Sequence, residues 1–212
     1  MARLRLPWTE LTHQWVSHFH VDHALELPAL LFAFKYGRGE HPAPRGPLTL
    51  VGPRGLGQLV DDLMAAFRTD LMEQDFELRV DELDPGGSLE LGGRTTLRVA
   101  KTPHTSESLA LRVDADGRAF GYTGDTAPSD ELAQFFRDVD VLLAECSFME
   151  DTRGTRHLRA DDTAHLAAAA RARHLVAVHA YFDPEAAHLA TRLARTFPGP
   201  ITVATDGTTL DF

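Results

Sequence analysis

Apolar positions along the chain follow two rhythms. Short stretches of alternating or unbroken apolar residues predict strands at 11–16, 48–51, 76–80, 88–91, 94–100, 109–113, 119–122, 139–144, 175–178, 201–204 and 208–210. Stretches repeating every three to four residues predict helices. The first covers 22–36, apolar at Leu25, Leu27, Leu30, Leu31 and Phe34, and ends at Gly37. The second is opened by Gly52-Pro53 and runs to Phe67. Others cover 129–136, capped by Ser129, then 161–171, then 184–196, stopped by Pro198-Gly199. Residues 38–47 hold two glycines and three prolines and read as a loop. Gly92-Gly93, Asp116-Gly117 and Asp206-Gly207 sit between neighbouring strands and predict hairpins. Strands clustered in hairpins, with helices between them, predict a mixed α/β (α+β) fold of the four-layer αββα sandwich type. No repeat or linker interrupts it, so residues 1–212 are read as one domain.

Composition narrows the picture. The chain is 43% hydrophobic and 25% charged, as a globular domain is. No apolar run approaches the roughly 20 residues that span a bilayer, and residues 1–5 lack a signal-peptide core, so a cytoplasmic protein without membrane contact is expected. The single cysteine, Cys146, allows no internal disulfide and suits a reducing compartment. The net charge of −10, with lysine only at 35 and 101, argues against a broad DNA-binding face.

One loop stands apart: Ser17-His18-Phe19-His20-Val21-Asp22-His23. Four of its seven residues can ligate a metal, in the order His-x-His-x-Asp-His. Imidazole nitrogen and carboxylate oxygen are the donors a first-row divalent ion takes. Residues facing opposite sides of one turn can serve two ions. Three later strands each end on a further candidate. Strand 94–100 leads to Thr102-Pro103-His104-Thr105, strand 119–122 to Thr123-Gly124-Asp125-Thr126, and strand 175–178 to His179. Loops at strand ends on one rim can converge. The set then closes: His18, His20 and His104 on one ion, Asp22, His23 and His179 on a second, and Asp125 bridging them. Two ions about 3.5–4 Å apart, with a hydroxide between them, would stabilise both the attacking and the leaving oxygen of a phosphoryl displacement. Shells rich in nitrogen and free of thiolate suit Zn2+, with Mn2+ or Fe2+ as alternatives.

These segments resemble the metallo-β-lactamase superfamily, and within it the ribonuclease Z-like phosphodiesterase branch. The resemblance rests on His18-Phe19-His20-Val21-Asp22-His23, on the isolated His104, on Tyr122-Thr123-Gly124-Asp125-Thr126, on Leu142-Leu143-Ala144-Glu145-Cys146-Ser147-Phe148 and on His179. It runs from residue 11 to the end. His157 falls where that branch carries a catalytic histidine, although Leu158-Arg159 replaces the small hydroxyl residue usual there. The branch also has a run of strands ahead of the metal loop, where this sequence has 17 residues. The first sheet is therefore expected to be short of N-terminal strands. A preceding segment is expected, and an uncovered edge favours a homodimer. No insertion between Tyr122 and His179 is long enough for the arm that grips transfer RNA in true processing enzymes.

The resemblance implies a binuclear hydrolase acting on RNA or a smaller phosphodiester. Asp22 would orient the attacking hydroxide, and His157 would protonate the leaving oxygen. Arg153, Arg156 and Arg159 could clamp a phosphate, although a solvated loop is the commoner fate of such a cluster. Glu145 reads equally as a carboxylate orienting a ligand histidine or as one salt-bridged elsewhere. His13, His41, His165, His174 and His188 read as structural or surface residues. Two alternatives stand beside this reading: a metal-dependent hydrolase of thioesters, lactones or amides, and a non-catalytic member of the same fold.

Overall fold

The computed structural model describes residues 7–37, 46–150, 156–181 and 186–212. The chain divides into two compact units, Met1–Asp84 and Pro85–Phe212. No helix among the described residues is long and apolar enough to cross a membrane.

In the first unit a 3-10 turn, Trp8–Glu10, leads to β1 (His13–Trp15), α1 (Val21–Ala24), α2 (Glu26–Tyr36), β2 (Leu48–Pro53), α3 (Leu56–Phe67) and β3 (Leu78–Leu83). The three strands are parallel, in the order β1-β2-β3. Parallel neighbours need long crossovers, and α1–α2 and α3 lie in those crossovers. Every residue of β2, Thr49 included, is buried, as in a strand covered on both faces. Leu31, Leu48, Leu50 and Leu56 fill the core, and Trp8 stacks on Phe34 at 5.2 Å between ring centroids.

Two expectations are corrected here. The helix expected over 22–36 breaks at Leu25. Pro28 has no N–H to offer the Ala24 carbonyl, and its ring crowds that turn, so the hydrogen-bond ladder is interrupted. Gly52-Pro53 closes β2 rather than opening α3, which starts at Leu56 after Gly55 at φ 94°. Glycine is needed at 52 because a Cβ there would lie 2.8 Å from the Val16 carbonyl oxygen. That close approach lets Val16 donate to Val51 O at 2.8 Å, and it anchors the start of the Ser17–His23 loop.

The second unit holds β4 (Ser88–Gly92), β5 (Thr95–Lys101), β6 (Leu109–Ala115), β7 (Arg118–Tyr122), α4 (Asp130–Phe135), β8 (Val141–Glu145), α5 (Ala160–Ala169), β9 (Leu175–Val178), α6 (Ala186–Leu193) and β10 (Ile201–Val203). They form one seven-stranded sheet, ordered β10-β9-β8-β7-β6-β5-β4. Strands β4 to β7 pair antiparallel and β7 to β10 pair parallel. The β6–β7 hairpin turns through Asp116 at φ 48° and Gly117 at φ 81°, the left-handed pair a two-residue turn demands. In the parallel half α4, α5 and α6 are the crossovers, and Leu132, Phe136, Leu142, Leu158, Leu175 and Leu193 are buried together. The strand expected at 208–210 does not form. Thr208 donates to Thr205 O and Thr205 N–H to Thr208 Oγ1, a closed turn that leads the chain away from β10. The pairing pattern has one functional consequence. β5, β7, β8 and β9 all point the same way, so the residues that follow them emerge along one edge of the sheet.

Candidate metal centre

Asp125 lies at the middle of the second unit's candidate site. Its carboxylate is 2% exposed and has His179 Nε2 at 3.5 Å, His104 Nε2 at 3.7 Å and His157 Nδ1 at 3.8 Å. Asp125, His157 and His179 offer ligand atoms that all lie within 4.8 Å of one another. The Asp125 carboxylate with the Nε2 atoms of His104 and His179 is a donor set a divalent ion accepts, while His157 Nδ1 is engaged by Glu145.

Each side chain is positioned by the end of its strand. Asp125 follows β7 across Gly124, whose φ of 56° provides the sharp turn. Thr123 N–H donates to Leu143 O, and Thr123 Oγ1 accepts from Glu145 N–H, so the end of β7 is tied to the end of β8. His179 directly follows β9 in a left-handed conformation, φ 60°. His104 lies in the loop after β5, where its Nδ1 hydrogen donates to Arg156 O at 2.9 Å. That bond leaves the lone pair on Nε2, the nitrogen facing Asp125.

Glu145 and Ser147 orient the other two rings. The Glu145 carboxylate is 1% exposed. It accepts from Thr126 N–H at 2.6 Å, Leu158 N–H at 3.2 Å, His157 Nδ1 at 3.1 Å and the Ser147 hydroxyl. Ser147 Oγ, its proton committed to Glu145, accepts from His179 Nδ1 at 3.0 Å. A carboxylate–hydroxyl–imidazole chain thus sets the His179 tautomer with Nε2 toward Asp125, an arrangement that raises a ligand's basicity.

Lys101 holds the loop that carries His104. Its ammonium reaches Thr102 O, Thr105 O, Ser108 O and Ser108 Oγ at 2.5–3.2 Å. Burial pulls its pKa below the usual lysine range, and Arg156 adds to that effect against Glu107.

In the first unit the Ser17–His23 loop packs its imidazoles together. His18 and His20 have ring centroids 4.7 Å apart, and His18 and His23 are 4.2 Å apart. His18 is fully buried and shares a hydrogen bond with Ser17 Oγ at 3.1 Å. His20 is the N-terminal boundary residue of α1, so Asp22 and His23 fall in the first helical turn, with Asp22 Oδ2 3.7 Å from His23 Nε2. Asp22 is half-exposed.

Residues 8–180 match the family model described as a β-lactamase superfamily domain. The chain belongs to that superfamily. Ribonuclease Z of Methanosarcina mazei is 27% identical over 84% of this chain and 73% of its own length. The chain spans between 49% and 73% of the length of curated relatives it matches. Two crystal structures share the fold. The metallo-β-lactamase fold protein YhfI from Bacillus subtilis has a TM-score of 0.78 at 23% identity, over 96% of this chain and 79% of that one. The short form of human tRNase Z has 0.76 at 21%, over 99% and 82%. The superfamily to which the metal loop points, the ribonuclease Z-like branch to which residues 142–148 and His157 point, and the mixed α/β fold class all agree with these matches.

Within this superfamily member, the sequence-derived candidates of each unit cluster: His18, His20, Asp22 and His23 in the first, His104, Asp125, His157 and His179 in the second. Glu145 bonds His157 directly and reaches His179, a proposed ligand, only through Ser147. Two of the three arginines make bonds within the chain. Arg159, at the start of α5, donates to Asp162 through Nε at 2.6 Å and through its backbone N–H, and Arg156 donates to His104 O at 2.6 Å. Arg153 and His41 lie outside the described residues. His174 sits at the opposite end of β9 from His179, bonded to Thr202 Oγ1. Burial pushes the Cys146 thiol up to about 11, which suits an inert core residue. Sequence reading missed Lys101 and Ser147. A lysine beside a loop of hydroxyl residues was the available signal for the first. For Ser147 there was none, because its role depends on His157 and His179, ten and 32 residues away.

Proposed function

We propose that this chain is a metal-dependent phosphodiesterase acting on RNA or a smaller phosphodiester, with residues 1–212 working as one hydrolase domain. The observation that carries the reading is the Glu145–His157 pair beside Asp125. A general acid needs a group that holds one proton and releases another. Glu145 holds the Nδ1 proton of His157, so the transferable proton sits on Nε2 and passes to the leaving oxygen. His18, His20 and His104 are the proposed ligands of one ion, Asp22, His23 and His179 of the second, with Asp125 shared. Two divalent ions, Zn2+ first with Mn2+ or Fe2+ as alternatives, would supply Lewis acidity and lower the pKa of water. Asp22 orients the attacking water. Ser147 keeps His179 in its ligating tautomer.

The test joins metal content to turnover. Metal-replete protein should carry about two ions per chain and hydrolyse a bis-aryl phosphate. Less than one ion per chain would sink the binuclear reading. A full complement without turnover would transfer the assignment to an acyl hydrolase. His157→Ala should lower kcat for the phosphodiester by roughly 10²–10⁴-fold. An acyl hydrolase on the same ligands would lose little.

A further inference from the structure

Two aromatic side chains beside His157 have no part in the mechanism above. Tyr181 is 58% exposed, one of few large apolar side chains left so open among the described residues. Its ring lies 4.9 Å from that of His179 and 5.7 Å from that of His157. Phe148, half-buried, lies 5.7 Å from Tyr181 and 6.0 Å from His157. The His157 ring stands nearly perpendicular to both, at 87° and 82°, while Tyr181 and Phe148 are inclined to each other by 39°. The two rings thus form an open wall with the proton donor beside it.

The wall is held by the backbone. Tyr181 N–H donates to Ser147 O at 3.2 Å, and the left-handed turn at His179 brings the chain back toward the end of β8. Phe148 is pinned by its bridge to Arg159 and by Ala160 N–H on its carbonyl at 2.9 Å.

The charges around the site point to the same kind of ligand. Long nucleic acid is gripped through its phosphates by lysine and arginine. Among the described residues near the site, Lys101 bonds its own loop, Arg156 gives one N–H to the His104 carbonyl and Arg159 pairs with Asp162, and the chain carries a net charge of −10. A ligand held at this edge gains more from a flat face against the rings than from a run of phosphates. Every nucleobase has such a face, and stacking tolerates any base.

We propose that Tyr181 and Phe148 form a stacking wall for one nucleobase of a short nucleotide phosphodiester, placing its phosphate beside His157. This rests on the phosphodiesterase reading and narrows it from RNA in general to ligands recognised through a single base.

Calorimetric titration of metal-replete protein with adenosine 5′-monophosphate and with ribose 5-phosphate tests it. AMP should bind at least about tenfold more tightly. Tyr181→Ala should bring the two within about twofold, and Tyr181→Phe should keep the preference. Equal affinities in the unsubstituted protein, or a preference untouched by Tyr181→Ala, overturn the wall. An oligoribonucleotide binding on the order of 100-fold tighter than AMP, with an affinity falling about 10³-fold between 50 and 200 mM salt, overturns the restriction to short ligands. Turnover of the bis-aryl phosphate is measured in parallel. Turnover without base preference removes the wall and keeps the hydrolase; base preference without turnover does the reverse.

Discussion

Asp125→Ala leaves the purified protein with less than one metal ion per chain and lowers phosphodiester turnover by about 10³-fold or more. The Asp125 carboxylate is the common neighbour of His104, His157 and His179, at 3.5–3.8 Å from each. Partners that merely orient a metal ligand typically change affinity or activity by about 10–100-fold. On the proposed ligation the loss must exceed that, since removing the carboxylate would take away both a proposed ligand atom and the charge that would offset a bound metal. Asp125→Asn keeps the volume and one oxygen, so it separates the loss of charge from the loss of shape. Metal analysis by mass spectrometry and bis-aryl phosphate turnover read the outcome. A variant retaining its metal and its rate would remove Asp125 from the centre.

Glu145→Ala should be the most damaging single change to stability in the second unit. Four donors converge on this one buried carboxylate: two backbone N–H groups, a hydroxyl and an imidazole. Stranding a buried donor costs about 1–3 kcal/mol, and breaking a buried charged pair about 3–5 kcal/mol. A destabilisation of about 3–5 kcal/mol follows, a fall in Tm on the order of 10 °C for a chain of this size. Glu145→Gln presents an N–H₂ to one of these donors and should lose less stability, while still weakening the hold on the His157 proton. Thermal unfolding followed by circular dichroism distinguishes them. An unchanged Tm in Glu145→Ala would mean that water or another acceptor replaces the carboxylate.

The sequence made local features legible and distant partnerships not. The Asp116-Gly117 turn, the Ser129 cap and the strand at 175–178 were readable because each depends on residues a few positions apart. The His-x-His-x-Asp-His loop was readable because a coordination shell constrains residue type and spacing together. The break at Leu25 required weighing Pro28 against a strongly apolar period, and the period prevailed in the reading. Gly52-Pro53 misled because the reason for the glycine, the Val16 carbonyl, lies 36 residues earlier. Arg159 and Asp162 are an i, i+3 pair visible in the sequence, so this pairing was legible as well. Lys101 and Ser147 matter through carbonyls and rings that come together only once β5, β8 and β9 lie side by side.

Five non-glycine residues among those described take a left-handed backbone, and four of them, Arg68, Asp116, Asp138 and Arg171, finish a helix or round a turn. His179 is the fifth, and it is also a proposed ligand. An L-residue in that region gives up about 1–2 kcal/mol that glycine or asparagine would mostly recover. Selection for foldedness alone would thus disfavour histidine at 179, and the proposed ligand role would favour it. On that proposal, stability and activity would pull in opposite directions at this position. A lineage that stopped needing the reaction would gain robustness by losing this histidine early.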